Sequence, residues 1–139
     1  MDYSSIITPK RLTNMQDMEV HVNGPDGANR LFMYSGMAEV ELCGGLPHPR
    51  WSLEVICFNI GRKYDCDHGE SVINIVASAA LAGARTDGVA SFGGWEIFGA
   101  AGEFDESDCR VRMNIAAGAR DTQAYLEQIS FQVNVLAKV

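Results

Sequence analysis

Apolar and polar residues alternate with a period of two along much of this chain. Ile129, Phe131, Val133, Val135, Ala137 and Val139 fall on one face and Ser130, Gln132, Asn134 and Lys138 on the other, with only Leu136 out of pattern. That pattern predicts a long half-buried strand running to the last residue. Val111, Met113 and Ile115 alternate with Arg110, Arg112 and Asn114 in the same way. So do Met18, Val20 and Val22 with Glu19, His21 and Asn23, and Ala38, Val40 and Leu42 with Glu39 and Glu41. Each apolar row is expected to share one half-buried face.

Two further runs are apolar on both faces. In Trp51 to Ile60 the apolar row passes from Trp51, Leu53 and Val55 to Ile56, Phe58 and Ile60. A β-bulge near Val55, or burial of both faces at the far end, accounts for this change of phase. Val72 to Gly83 aligns Ile73, Ile75, Ala77, Ala79 and Leu81. Alanine also favours helix, but β-branched residues load the first half, so 72–84 reads as strand with helix as its alternative.

Turn chemistry separates the runs. Asn23-Gly24-Pro25-Asp26-Gly27, Gly44 to Pro49, Asp65 to Glu70, Thr86-Asp87-Gly88 and Asp105 to Asp108 all carry glycine, proline or aspartate. Such residues supply positive φ, a fixed φ or side-chain hydrogen bonds to the turn backbone. Arg120 to Gln128 is the best helix candidate, with Asp121 or Thr122 as N-cap, and a wide loop is its equal alternative. The fold expected is all-β, an antiparallel β-sandwich or partly open barrel of about seven strands, with one short helix near 120–128. Residues 1–17 break the alternation and read as an N-terminal arm or tail. Residues 18–139 read as a single domain.

Composition narrows the class. With 47% hydrophobic and 21% charged residues the chain is globular rather than disordered or fibrous. Eleven Lys and Arg against eighteen Asp and Glu leave a net charge of −7, which argues against nucleic acid as a partner. No stretch approaches the ~18 apolar residues of a membrane helix, and the N-terminus lacks an apolar signal core. The expectation is a chain made and kept in the cytoplasm or incorporated into a virion, with no membrane partner. Cys43, Cys57, Cys66 and Cys109 match no compact disulfide framework, so reduced thiols are expected, with Cys57 and Cys109 as small core residues.

Chemistry is thin. Asp65-Cys66-Asp67-His68-Gly69-Glu70 offers oxygen, sulfur and imidazole ligands but lacks the later ligands of a calcium loop and the four of a zinc site. Glu103, Asp105, Glu106 and Asp108 read as a charged loop rather than a carboxylate pair across a cleft. Three histidines, His21, His48 and His68, find no serine elbow or phosphate loop to work with. No catalytic residue, cofactor or metal site is assigned. Trp51 reads as core, and Trp95 is the better-exposed candidate for stacking on a sugar.

These features predict a non-enzymatic structural subunit of a homo-oligomeric assembly, whose partners are copies of itself and a larger protein lattice. Ile6, Ile7, Leu46, Pro47, Trp95, Phe98 and Phe104 are the expected subunit contacts. They lie in the arm, the Gly44–Arg50 loop and the Trp95–Phe104 segment, where glycine and alanine permit close approach. A small acidic β-domain with an arm is similar in general character to bacteriophage capsid decoration and tail proteins, which makes a virion role the expectation. The alternative is a ligand-binding β-sandwich module, with carbohydrate as the ligand.

Overall fold

The computed structural model describes residues 5–25, 27–46, 50–66, 72–88 and 93–138. Eight strands follow one another: β1 (Ser5–Ile7), β2 (Arg11–Gly24), β3 (Gly27–Cys43), β4 (Trp51–Ile60), β5 (Val72–Thr86), β6 (Gly94–Asp105), β7 (Arg110–Arg120) and β8 (Ala124–Lys138). They form two four-stranded sheets, ordered β1-β4-β7-β6 and β2-β3-β8-β5. Every pairing is antiparallel except that of β1 with β4. The all-β sandwich expected from the periodicity is therefore present, with one strand more than expected because Ser5–Ile7 pairs with Glu54–Ile56. Val72–Thr86 is strand throughout.

The inner faces hold the rows read from the sequence for β7, β8 and the 38–42 part of β3, but not that of β2. Ile56, Ile60, Val111, Met113 and Ile115 of the first sheet meet Leu126, Ile129, Val133 and Val135 of the second, all fully buried. On β3 the inward row is Phe32, Tyr34, Ala38, Val40 and Leu42. β4 pairs with β7 in unbroken register. Its change of apolar phase therefore comes from two half-strands burying opposite faces, not from a bulge.

The helix expected at 120–128 is not formed. Residues 121–123 make the β7–β8 turn, with Asp121 at φ 88° and the Ala124 N–H donating to the Asp121 carbonyl at 3.2 Å. Ala124 and Leu126 then enter β8 fully buried against the core. Tertiary burial and ladder bonds with β3 and β5 outweigh local helix preference here. The arm boundary at residue 17 also falls inside one continuous strand, since β2 begins at Arg11.

The two seams of the sandwich differ. On one side β5 folds onto β6, and the Ile75 methyl occupies the space a side chain on residue 102 would need, so only glycine fits there. On the other side β1 covers β4 only over Glu54–Ile56, and the rest of that seam is filled by the segment Gly61–Cys66. Its Tyr64 packs edge-on against Phe32 with ring centroids 5.5 Å apart, and its hydroxyl lies 2.9 Å from that of Tyr34. Burial, then the Tyr34 hydrogen bond, pushes the Tyr64 phenol well above its ordinary range.

Cys66 and Cys109 are joined in a disulfide, which corrects the expectation of reduced thiols and of a core Cys109. Connectivity could not be read from spacing because the partners stand 43 residues apart in sequence. The fold brings them together because β4 and β6 both flank β7, so the segment after β4 ends beside the β6–β7 turn. Tyr64 N–H also donates to the Cys109 carbonyl at 2.7 Å. Cys43 and Cys57 are free thiols, and burial pushes the Cys57 thiol up.

Replacing both Cys66 and Cys109 by serine is expected to lower unfolding free energy by about 2–4 kcal/mol, from the chain-entropy cost of releasing a loop of this length. Urea unfolding of the double variant, beside the parent chain with and without reductant, checks it. Equal stability of all three samples would show that the bridge holds nothing together.

Candidate assembly surface

The outer face of the second sheet is set by an irregularity near the start of β2. Thr13 pairs with Met37 and Gln16 with Ser35, so Asn14 and Met15 together oppose the single residue Gly36. This is a β-bulge, with Asn14 in the left-handed region at φ 51°, a conformation asparagine tolerates better than most residues. The Met15 sulfur sits where a side chain on Gly36 would be, so the bulge folds over that glycine. Leu12, before the bulge, packs against the core.

Side chains alternate with a period of two, so one extra residue sends all later ones to the opposite face. Beyond the bulge Asp17 pairs with buried Tyr34, and Glu19 with buried Phe32. Directly opposed residues of an antiparallel pair share a face. Asp17 and Glu19 thus stand on the inner side of β2, exposed at the edge of the sandwich, and Met18, Val20 and Val22 point outward, with 60%, 39% and 37% of their surface exposed. The apolar row that the sequence predicts to be half-buried is turned to the outside.

That row continues across the sheet. Val20 lies opposite Leu31, and Leu31 opposite Leu136, the one residue out of pattern in the C-terminal alternation. Met18 lies opposite Met33, and Val76 of β5 stands on the same face, 59% exposed. Toward the middle of the face come Gln16, Ser35, Gln132 and Ser78, aligned by register. The far end is ionic: Lys10 pairs with Glu41 at 2.7 Å, and Arg85 reaches Glu41, Asp87 and Glu127. The hydrogen bond and charge of Lys10 hold the Glu41 carboxyl below its ordinary range. The outer face is therefore graded from apolar to ionic along its strands.

Under β2 lies a cleft of about 910 Å³. Asp17 and Glu19 line one wall and Arg62 and Lys63 the other, with Phe32 and Tyr34 beneath. Both rings are buried, and the Arg62 guanidinium stacks 5.2 Å from the Phe32 centroid. Glu19 is engaged by Arg30 at 2.8 Å.

The residues expected to make subunit contacts are not gathered on one surface. Ile6 is 75% exposed on the outer side of the first sheet, while its neighbour Ile7 turns inward against the core. Phe98 lies at a β6 bulge and caps Trp51 edge-on at 5.9 Å, with Arg120 over the indole. Trp95 and Phe104 face inward and pack against the core, the Trp95 indole nitrogen being buried without a hydrogen-bond partner. Register puts Trp95 opposite inward Ala119, so it is not free to stack on a sugar, and Trp51 opposite outward Arg120, so it is half-buried on the outer face rather than in the core. Leu46 is exposed in the β3–β4 loop, and Pro47 lies outside the described residues. So do His48, His68 and most of the Asp65–Glu70 cluster. The patch of Met18, Val20, Val22, Leu31, Met33, Val76 and Leu136 was missed. Its signal in the sequence was Leu136.

The acidic run at the β6–β7 turn is structural. The Asp105 carboxylate, nearly buried, accepts hydrogen bonds from the Ser107 hydroxyl at 2.6 Å, the Ser107 N–H at 3.0 Å, Asn59 at 3.0 Å and Arg112 at 2.8 Å. The Ser107 hydroxyl and Asn59 amide chiefly hold its pKa down at about 2, aided by the Ser107 N–H and the charge of Arg112. Among the described residues no three His, Cys, Asp or Glu side chains gather as metal ligands, and no helix is long and apolar enough to cross a membrane. Comparison with protein-family models, curated proteins and solved structures finds no match to this chain.

Two predictions arise here. A carboxylate with a depressed folded-state pKa stabilises the fold above its unfolded value of about 3.8 and loses that contribution as pH falls toward about 2. Asp105→Asn should therefore be less stable than the parent at pH 7 and show a flatter loss of stability between pH 4 and 2. Urea titrations across that range measure both; parallel acid limbs would refute the assignment. Deleting Asn14 removes the extra residue and should turn Met18, Val20 and Val22 inward. Peroxide oxidation of Met18, resolved by peptide mass spectrometry, should then slow several-fold, and an unchanged rate would mean that the bulge does not set the parity.

Proposed function

We propose that this protein is a non-enzymatic structural subunit of a homo-oligomeric assembly, of the kind from which small virion proteins build larger lattices. The observation that carries the reading is the outward apolar row of β2, continuous with Leu31, Met33 and Leu136. An exposed apolar patch on the flat of a sheet beside a long unpaired edge is an aggregation hazard for a monomer. The same patch is ordinary when a neighbouring subunit covers it. The ionic far end of the face supplies charges that can fix how a neighbour is oriented.

The alternative, a carbohydrate-binding module, has the cleft under β2 as its place. Assembly is preferred because the rings at the cleft floor are buried and already packed by Tyr64 and Arg62, leaving no free aromatic face for a sugar.

The test is absolute mass by light scattering over a concentration series, for the parent chain and for Met18→Lys with Val76→Lys. The parent should form a discrete or growing oligomer. The double variant should shift toward monomer by at least tenfold in concentration, with an unchanged circular dichroism spectrum, since both side chains are exposed. A parent that stays monomeric at every concentration overturns the reading.

A further inference from the structure

β2 is an edge strand. Among the described residues it pairs with β3 alone, so along its other side alternate N–H and C=O groups have no strand partner there. Its regular part is bounded on both sides, by the bulge at Asn14–Met15 and by the turn that follows Gly24. Between these limits, Gln16–Gly24, the midpoint is Val20.

We propose that two copies of this chain join by antiparallel pairing of β2 with β2 about a two-fold axis at Val20, giving one continuous eight-stranded sheet. The inference rests on the assembly reading and names its contact. The axis puts Val20 opposite Val20 of the partner subunit, and Met18 opposite the partner subunit's Val22. On the outer face the two apolar rows therefore merge, and the patch on each subunit becomes half of a larger one. On the inner face Glu19 comes opposite the partner subunit's His21, and Asp17 opposite the partner subunit's Asn23. Every carboxylate of the segment thus meets a side chain that can donate a hydrogen bond. Gln16 meets the partner subunit's Gly24, so the pairing spans the whole regular segment and ends at the bulge and the turn.

Neighbouring registers are worse. Pairs that keep outer face beside outer face require shifts that preserve parity. Centring on Glu19 places that carboxylate directly opposite its own copy, a destabilising like-charge pair. Centring on His21 pairs imidazole with imidazole and pushes Met18 out to Gly24 of the partner subunit. Only the Val20 axis satisfies the apolar and the charged rows together. The inward carboxylates would otherwise serve merely to discourage edge pairing; here the same strand supplies their complements.

Cysteine cross-linking tests the register in a Cys43→Ser, Cys57→Ser background, which leaves the Cys66–Cys109 bridge intact. Directly opposed residues have Cα atoms about 4.5–5.5 Å apart, within disulfide reach. Val20→Cys should therefore form a covalent dimer under mild oxidation. Met18→Cys alone should not, because its two copies lie about 13 Å apart along the strands, whereas Met18→Cys with Val22→Cys should. His21→Glu should weaken the dimer at least tenfold, and adding Glu19→His should restore it. Light scattering is recorded on the same samples before oxidation. An oligomer that cross-links at Val20 supports the pairing. An oligomer that does not cross-link at Val20 overturns it and leaves the assembly reading standing, while a chain that remains monomeric overturns both.

Discussion

Side chains of a strand alternate between its faces, so the extra residue at Asn14–Met15 governs where every later side chain of β2 points. Before it, Leu12 contributes to the core; after it, Met18, Val20 and Val22 stand on the outer face, and Asp17 and Glu19 stand on the inner side of the strand while remaining exposed at its edge. The fold tolerates those charges because β2 lies at an open seam, where they stay exposed beside the cleft and Arg30 pairs with Glu19. A bulge in a central strand would have buried the carboxylates without such relief, at a cost of several kcal/mol for each ion.

The open seam in turn depends on the end of the first sheet. Phe32 and Tyr34 are kept dry by Tyr64, and Tyr64 is held by its hydrogen bond to Cys109 and by the neighbouring Cys66–Cys109 bridge. The β6–β7 turn that carries Cys109 is organised around Asp105, which also draws in Asn59 of β4 and Arg112 of β7. One nearly buried carboxylate therefore links three strands of the first sheet to the segment that closes the sandwich beneath β2. At the other seam no such device is needed, since Gly102 lets Ile75 and β5 settle directly onto β6.

How much of this was legible depended on whether a signal was local. The alternations of β3, β7 and β8, the Asn23–Gly27 turn and the strand over 72–84 were readable because side-chain period and turn chemistry are properties of neighbouring residues. The bulge in β2 was not, because Thr13-Asn14-Met15-Gln16 has no composition that marks an extra residue, and only pairing with Gly36 reveals it. The partner of Cys66 was hidden for the same reason, since it is fixed by strand order. Trp51 faces outward rather than into the core because facing follows register with β7. Arg120–Gln128 resembled a helix locally and became a strand once Ala124 and Leu126 had a core to enter. The candidate surface was half legible: Leu136 broke its pattern visibly, but its significance required knowing that Leu31 and Val20 stand beside it.

The grading of the second sheet's outer face connects these local facts to assembly. An apolar patch alone would associate without preferred direction, because hydrophobic attraction is non-directional. Here the patch crosses the sheet from the β2 edge to Val76 of β5 and gives way along the strands to a polar row and then to paired ions. In the proposed pairing, backbone bonding would specify the line of contact, the charged inner row its register, and the apolar outer row would contribute the burial that makes contact favourable. The outward turn of the apolar row on the β2 edge, on which that proposal stands, traces back to a single inserted residue.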